Sequence, residues 1–434
     1  MLLSLFVFLN YFTINLATDP SHFRIVPLNF YTPDNRNDQY FKDSNYYGVR
    51  LAWIASEPPS NDISINNDLG YNKLNWHTKG KFNVHKNQWG NNLWDYSFID
   101  TSLYVGKNLI TIDKWTYTIN IPHFGIKTSN DDTTLFIGDV NIAKAGQFAL
   151  GEADKVIKNI VLEYQNISPL IVWVGDIFYH DTSNIITEEW PKLINNNNNN
   201  INGITNYLHI GILGNHDYIS HTACHDCNWH INRNGLSCAN SNEPSGSWVQ
   251  YFFATDALKS FHNDLSSVYH RGCRVPYEYS FQIIVLGRTG YITIDNTWAP
   301  NEVNINWNDV KNKLNNYIDT IFIIGHWDMI HAGSKSGVTD WILYLYKYFD
   351  NKQIHGIQGH THINKYEHIN RYSHRYQKNI DYKLITTGGN GFKGSGCNCK
   401  NNCFYCHCCC PTLYKNNTWV IGGWDNNNLC FGKH

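Results

Sequence analysis

Five short apolar runs constrain this chain more than any other feature. Each is closed by a glycine and then by an acid, an amide or an imidazole. They are TLFIGD (134–139), LIVWVGD (170–176), HIGILGNHD (209–217), IFIIGH (321–326) and HGIQGH (355–360). Apolar runs of this length read as strands buried on both faces. AKAGQFALGEADKVIKNIVLEY, between the first two, has helical spacing, as do EVNINWNDVKNKLNNYI and VTDWILYLYKYFD further on. Strand–helix–strand alternation predicts an α/β fold. YSFQIIVLG, YITIDN and YKLITTGG add further strands. In α/β sheets, ligand sites gather at the carboxyl ends of strands. Asp139, Asp176, Asn215, His326 and His360 are expected at one such rim, each with a glycine before it that lets the backbone turn.

The rest of the chain divides around this block. Residues 1–17, MLLSLFVFLNYFTINLA, are apolar and uncharged, too short for a comfortable membrane span, and end in Leu16-Ala17 before a polar TDP. They read as a signal peptide, with an uncleaved anchor as the alternative. No later segment is long and apolar enough to span a bilayer. Residues 18–128 read as a β-rich accessory region, 129–395 as the catalytic domain and 396–434 as a cysteine-rich tail. The 12 cysteines split into a group of four (224–273) and a group of eight (397–430), both even, which fits disulfides formed after export. Cys224-x-x-Cys227 beside His221 and His225 has zinc-like spacing and is the rival reading. The sequons at Asn166 and Asn416 are compatible with secretion, so a secreted or lumenal location is expected. A net charge of −2 gives no basic surface for nucleic acid. The sequence assigns no oligomeric state.

Two aspartates, an asparagine, a tyrosine and several histidines make an oxygen-and-nitrogen donor set suited to hard or borderline metals. Their motifs stand in a particular order: GD (138–139), GDIFY (175–179), GNHD (214–217), GH (325–326) and GHTH (359–362). In that order the chain resembles the calcineurin-like metallophosphoesterases. The GDIFY form resembles their purple acid phosphatase branch, of the small, tartrate-resistant type. The resemblance covers about residues 133–395. It implies a four-layer αββα sandwich of two mixed β-sheets flanked by helices. It also implies two metals. Fe(III) would be held by Asp139, Tyr179 and His362. A divalent Fe, Zn or Mn would be held by Asn215, His326 and His360. Asp176 would bridge them. Two positions depart from the family's pattern. Asn141 stands where a glycine or a histidine is usual, and the histidine following His326 is His331, close behind it in GHWDMIHAG.

The implied activity is that of an acid phosphatase hydrolysing phosphate monoesters by attack of a metal-held hydroxide. His216, oriented by Asp217, would contact substrate. His216 or His331 would hand a proton to the leaving group. His180 and Asp181 are not assigned as ligands. The substrate is expected to be small and phosphorylated, with a phosphoprotein as the alternative. Two rival readings keep the fold. One is a Zn or Mn enzyme acting on phosphodiesters or nucleotides. The other is a catalytically decayed metal-binding surface protein.

Overall fold

The computed structural model describes residues 19–30, 46–54, 63–70, 77–84, 94–112, 115–124, 133–139, 169–177, 207–214, 281–328, 334–361, 364–374, 377–388, 412–415, 418–425 and 428–433. In the N-terminal part the described elements are all strands: β1 (Asp19–Pro27), β2 (Tyr46–Ile54), β3 (Ser64–Asn67), β4 (His77–Val84), β5 (Trp94–Tyr104), β6 (Gly106–Ile112) and β7 (Trp115–Ile121). They make a four-stranded sheet in the order β1-β2-β5-β4 and a three-stranded sheet β3-β6-β7. The two share one apolar interior, where the Phe23 ring stacks on Tyr117 at 3.9 Å.

The next strands build a sandwich. β8 (Thr133–Ile137), β9 (Leu170–Val174) and β10 (His209–Ile212) are parallel, in the order β10-β9-β8. The last 23 residues hold β17 (Thr412–Lys415), β18 (Thr418–Asp425) and β19 (Asn428–Lys433), which complete that sheet antiparallel beyond β8. The segment set apart as a tail therefore contributes strands to a central sheet. The second sheet is formed by β11 (Gln282–Leu286), β12 (Thr289–Thr293), β13 (Thr320–Ile324), β14 (Gln353–Gln358), β15 (Asn364–Ser373) and β16 (Lys378–Thr387). Its order is β11-β12-β13-β14-β16-β15, with β12, β13, β14 and β16 parallel and the outer strands antiparallel.

β13 shows why its run is apolar throughout. Alternate side chains of a strand point to opposite faces. Phe322 and Ile324 face the first sheet, joining Phe136, Val172 and Val174. Ile321 and Ile323 face the other way, onto the helices α1 (Trp307–Leu314) and α2 (Val338–Phe349). Both faces are covered, so no position tolerates water. Phe322 lies 5.4 Å from the Phe136 ring and 5.8 Å from Trp419. Truncating such a buried ring costs about 3–5 kcal/mol.

Helix starts follow local rules. Asn306 caps α1 by accepting from the Asp309 N–H, and the Asp340 carboxylate accepts from the Gly337 N–H at the start of α2. The helix expected between β8 and β9 lies outside the described residues. The N-terminal region braces the sandwich. Ile25 bridges to Leu208 beside β10, while Asn29 and Phe30 hydrogen-bond to Ile283 of β11. Among the described residues, no helix is long and apolar enough to cross a membrane.

Candidate metal centre

β8 runs into Gly138-Asp139 and β9 into Gly175-Asp176; both belong to the first sheet. β13 runs into Gly325-His326 and β14 into Gly359-His360; both belong to the second. One sheet thus supplies carboxylates and the other imidazoles, and they meet at the rim. The Asp139 N–H donates to the Gly175 carbonyl at 3.1 Å, which ties the two acidic ends together. Across the sandwich, the His360 N–H donates to Asp139 Oδ2 at 2.9 Å. His326 Nε2 lies 3.2 Å from Asp176 Oδ2, and its Nδ1 lies 2.8 Å from the Val174 carbonyl. Asp176, His326 and His360 each place a donor atom within 4.8 Å of the others.

The backbone differs from the expected pattern in an informative way. Of the glycines preceding these residues, Gly175 alone has a positive φ, +79°. The left-handed turn falls instead on the functional residues: Asp139 has φ 53°, Asp176 52° and His360 70°. Each costs about 1–3 kcal/mol and persists only where the surroundings enforce it. The glycine at 214 answers close approach: a Cβ there would lie 2.2 Å from Asp176 Oδ1. Three of the four non-glycine residues in this conformation among those described are rim donors. Such clustering marks functional sites.

Electrostatics point the same way. Asp139 and Asp176 are buried, and so is His326. Burial alone pulls the His326 pKa down. The Asp176 and Asp139 carboxylates and the Val174 carbonyl outweigh burial and lift it to about 9. The rim holds concentrated negative charge that favours a cation. A cation binding through Nε2 would release the proton held there. The fit to a metal is good on two counts. The donors are carboxylate and imidazole, and the second nitrogen of His326 is fixed by a backbone carbonyl, the arrangement that orients metal-binding histidines.

Four of the expected site residues, Asp139, Asp176, His326 and His360, are therefore brought together. Tyr179, Asn215, His216, His331 and His362 lie outside the described residues, as do Asn141, His180, Asp181 and Asp217. Asn215 directly follows Gly214, whose backbone touches Asp176. Two neighbours were not singled out from sequence. Trp327 is buried with its ring 5.1 Å from His326 and 6.2 Å from His360. Asn296 accepts the His326 N–H at 2.8 Å. Its signal was present: YITIDN is another apolar run ending in polar residues, but without the glycine.

Comparisons with known proteins agree with this geometry. A family model described as calcineurin-like phosphoesterase matches residues 133–364, just over half of the chain. No curated protein matches in sequence. Among solved structures, the chain is similar to a purple acid phosphatase isolated from yellow lupin (Lupinus luteus) seeds, with TM-score 0.56 and 11% identity over 92% of this chain and 71% of that one. A structure of PhoD aligns with TM-score 0.49 and 10% identity over 96% and 90% of the two chains.

Proposed function

Because the chain belongs to the calcineurin-like phosphoesterase family, we propose that this metal-dependent phosphoesterase is an acid phosphatase of the purple type, acting on small phosphate monoesters. The observation that carries the reading is the meeting of Asp139 and Asp176 from one sheet with His326 and His360 from the other. The GDIFY motif supports the purple branch, since the phenol of Tyr179 is a hard donor suited to Fe(III). Asp139, Tyr179 and His362 are proposed to hold that ion, and Asn215, His326 and His360 a divalent Fe, Zn or Mn, with Asp176 between them.

The chemistry that such a pair supplies when bound is Lewis-acid polarisation of phosphoryl oxygens and a lowered water pKa. The chain's own residues do the remainder. Val174 fixes the His326 ring through Nδ1. The His360 N–H keeps Asp139 Oδ2 turned inward. The buried rim keeps bulk water from the carboxylates, which strengthens every charge interaction there. His216 is proposed to stabilise charge on the phosphoryl oxygens, and His216 or His331 to protonate the leaving oxygen. The apolar stretch at residues 1–17, the even cysteine groups and the sequons support a secreted or lumenal site of action.

The test is hydrolysis of p-nitrophenyl phosphate against its bis-ester, at acid and neutral pH, with a visible absorption scan of the same sample. Preference for the monoester at acid pH with a broad visible band is expected. A colourless protein that prefers the diester would overturn the purple assignment and favour a Zn or Mn phosphodiesterase. Stripping with a strong chelator should abolish turnover, and re-addition of metal should restore it. Asp176→Asn alters a proposed ligand itself and should lower turnover by more than the roughly 10–100-fold typical of losing a ligand's hydrogen-bond partner.

A further inference from the structure

β12 runs into Asp295-Asn296, beside the strand that leads to His326. Asn296 is 1% exposed. Its Oδ1 accepts two backbone N–H groups, from His326 at 2.8 Å and Trp327 at 3.2 Å. Its Nδ2 donates to the Ser336 carbonyl at 3.0 Å. Its own carbonyl accepts from the Lys335 N–H at 2.9 Å. A Cβ at Gly325 would come within 2.5 Å of the same Oδ1, so the turn is pressed directly against the amide.

The need for this amide follows from where the ladder stops. The Gly325 N–H still reaches the Ile357 carbonyl of β14, at 3.0 Å. The next two N–H groups lie past the end of β13, in residues that are fully buried. Buried N–H groups must find partners, and a single carboxamide oxygen takes both. That oxygen serves as the continuation of a neighbouring strand. His326 is then held from two sides: its backbone by Asn296 and its ring by Val174. The same asparagine joins this turn to the entry of α2, where the Val338 N–H donates to the Trp327 carbonyl at 3.0 Å.

We propose that Asn296 is a positioning residue for the metal centre, acting through the backbone of His326 rather than by contact with metal or substrate. The inference rests on the reading of His326 as a metal ligand. It predicts that loss of the amide oxygen weakens metal binding beyond any general loss of stability. Positioning partners of this kind contribute about 10–100-fold in metal affinity.

The experiment is Zn(II) titration of the stripped full-length chain in competition with a chromophoric chelator, alongside its thermal melt. Asn296→Ala should weaken Zn(II) binding at least about tenfold. Asn67→Ala is the matched control. It deletes the same group from a buried position in the N-terminal region, where Asn67 bonds to Val105, Asn108 and Leu69. It should lower the melting temperature and leave Zn(II) affinity unchanged. If Asn296→Ala does not fold, Asn296→Ser replaces it with the same expectation, since its hydroxyl is too short to reach both amides. Wild-type affinity in a folded Asn296→Ala or Asn296→Ser, or equal weakening in Asn67→Ala, would each overturn the proposal. A wild-type chain that binds no Zn(II) removes the metal-centre reading itself and this inference with it.

Discussion

Two buried carboxylate sites among the described residues are neutralised in opposite ways. In the N-terminal four-stranded sheet, Asp100 accepts two hydrogen bonds from Arg50, at 2.7 and 2.9 Å, with the guanidinium 4.5 Å from the centre of the Phe98 ring. A guanidinium cannot give up its charge, so the pair is closed. At the sandwich rim, Asp139 and Asp176 face His326 and His360. An imidazole can release its proton, so this charge is exchangeable. The first arrangement holds strands together, and the second is suited to receiving cations. Buried charge by itself marks neither function; the chemistry of its partner does.

The contrast can be broken by experiment. The largest stability effect is expected at the closed pair. Asp100→Asn strands the Arg50 charge in the interior, and urea unfolding should show a loss of about 3–5 kcal/mol. Zn(II) stoichiometry of the folded fraction should be unchanged. Asp176→Asn should cost the stripped protein less, below about 2 kcal/mol, because His326 can drop its proton and become neutral. Equal losses in the two variants would show that the rim is as closed as the Arg50 pair.

A third buried group sharpens the point. His355 lies on β14, among the rings of Phe322, Tyr414 and Trp419, and accepts from Trp419 Nε1 at 3.1 Å. Burial, with Lys383 adding to it, holds its pKa well below the ordinary imidazole value. The sign follows from proton counting. The unfolded chain takes up a proton near pH 6.5, while the folded chain does not. The associated stability is fully present above about pH 6.5 and is lost as pH falls toward the folded value. Between pH 7 and pH 5 the wild type should lose stability through this group. His355→Gln, which keeps an acceptor for Trp419, should flatten that part of the urea-derived stability profile. An unchanged slope would mean that His355 does not stay neutral.

Much of this was legible in the chain. The runs at 134–137, 170–174, 321–324 and 355–358 are strands or strand cores as expected; a segment covered on both faces is mostly apolar, and Thr134, His355 and Gln358 are its buried polar exceptions. Asp139, Asp176, His326 and His360 were legible because they break those patterns at their ends. Asn296 was not. Its work is done on the backbone of a residue 30 positions away, and no periodicity encodes that. Nor was the role of residues 412–433 as sheet strands, since pairing with β8 is a contact between the two ends of the catalytic region.

The amino-acid sequence by itself determined which side chains could serve as donors, and that they would stand at strand ends, because side-chain chemistry and local apolar runs are properties of short stretches. Only the tertiary structure decided that the carboxylates come from one sheet and the imidazoles from the other. It also placed the left-handed turns on Asp139, Asp176 and His360 rather than on most of the glycines before them. Those outcomes depend on how two sheets pack face to face and on which buried N–H groups are left without a ladder. Both are settled by contacts between residues far apart along the chain.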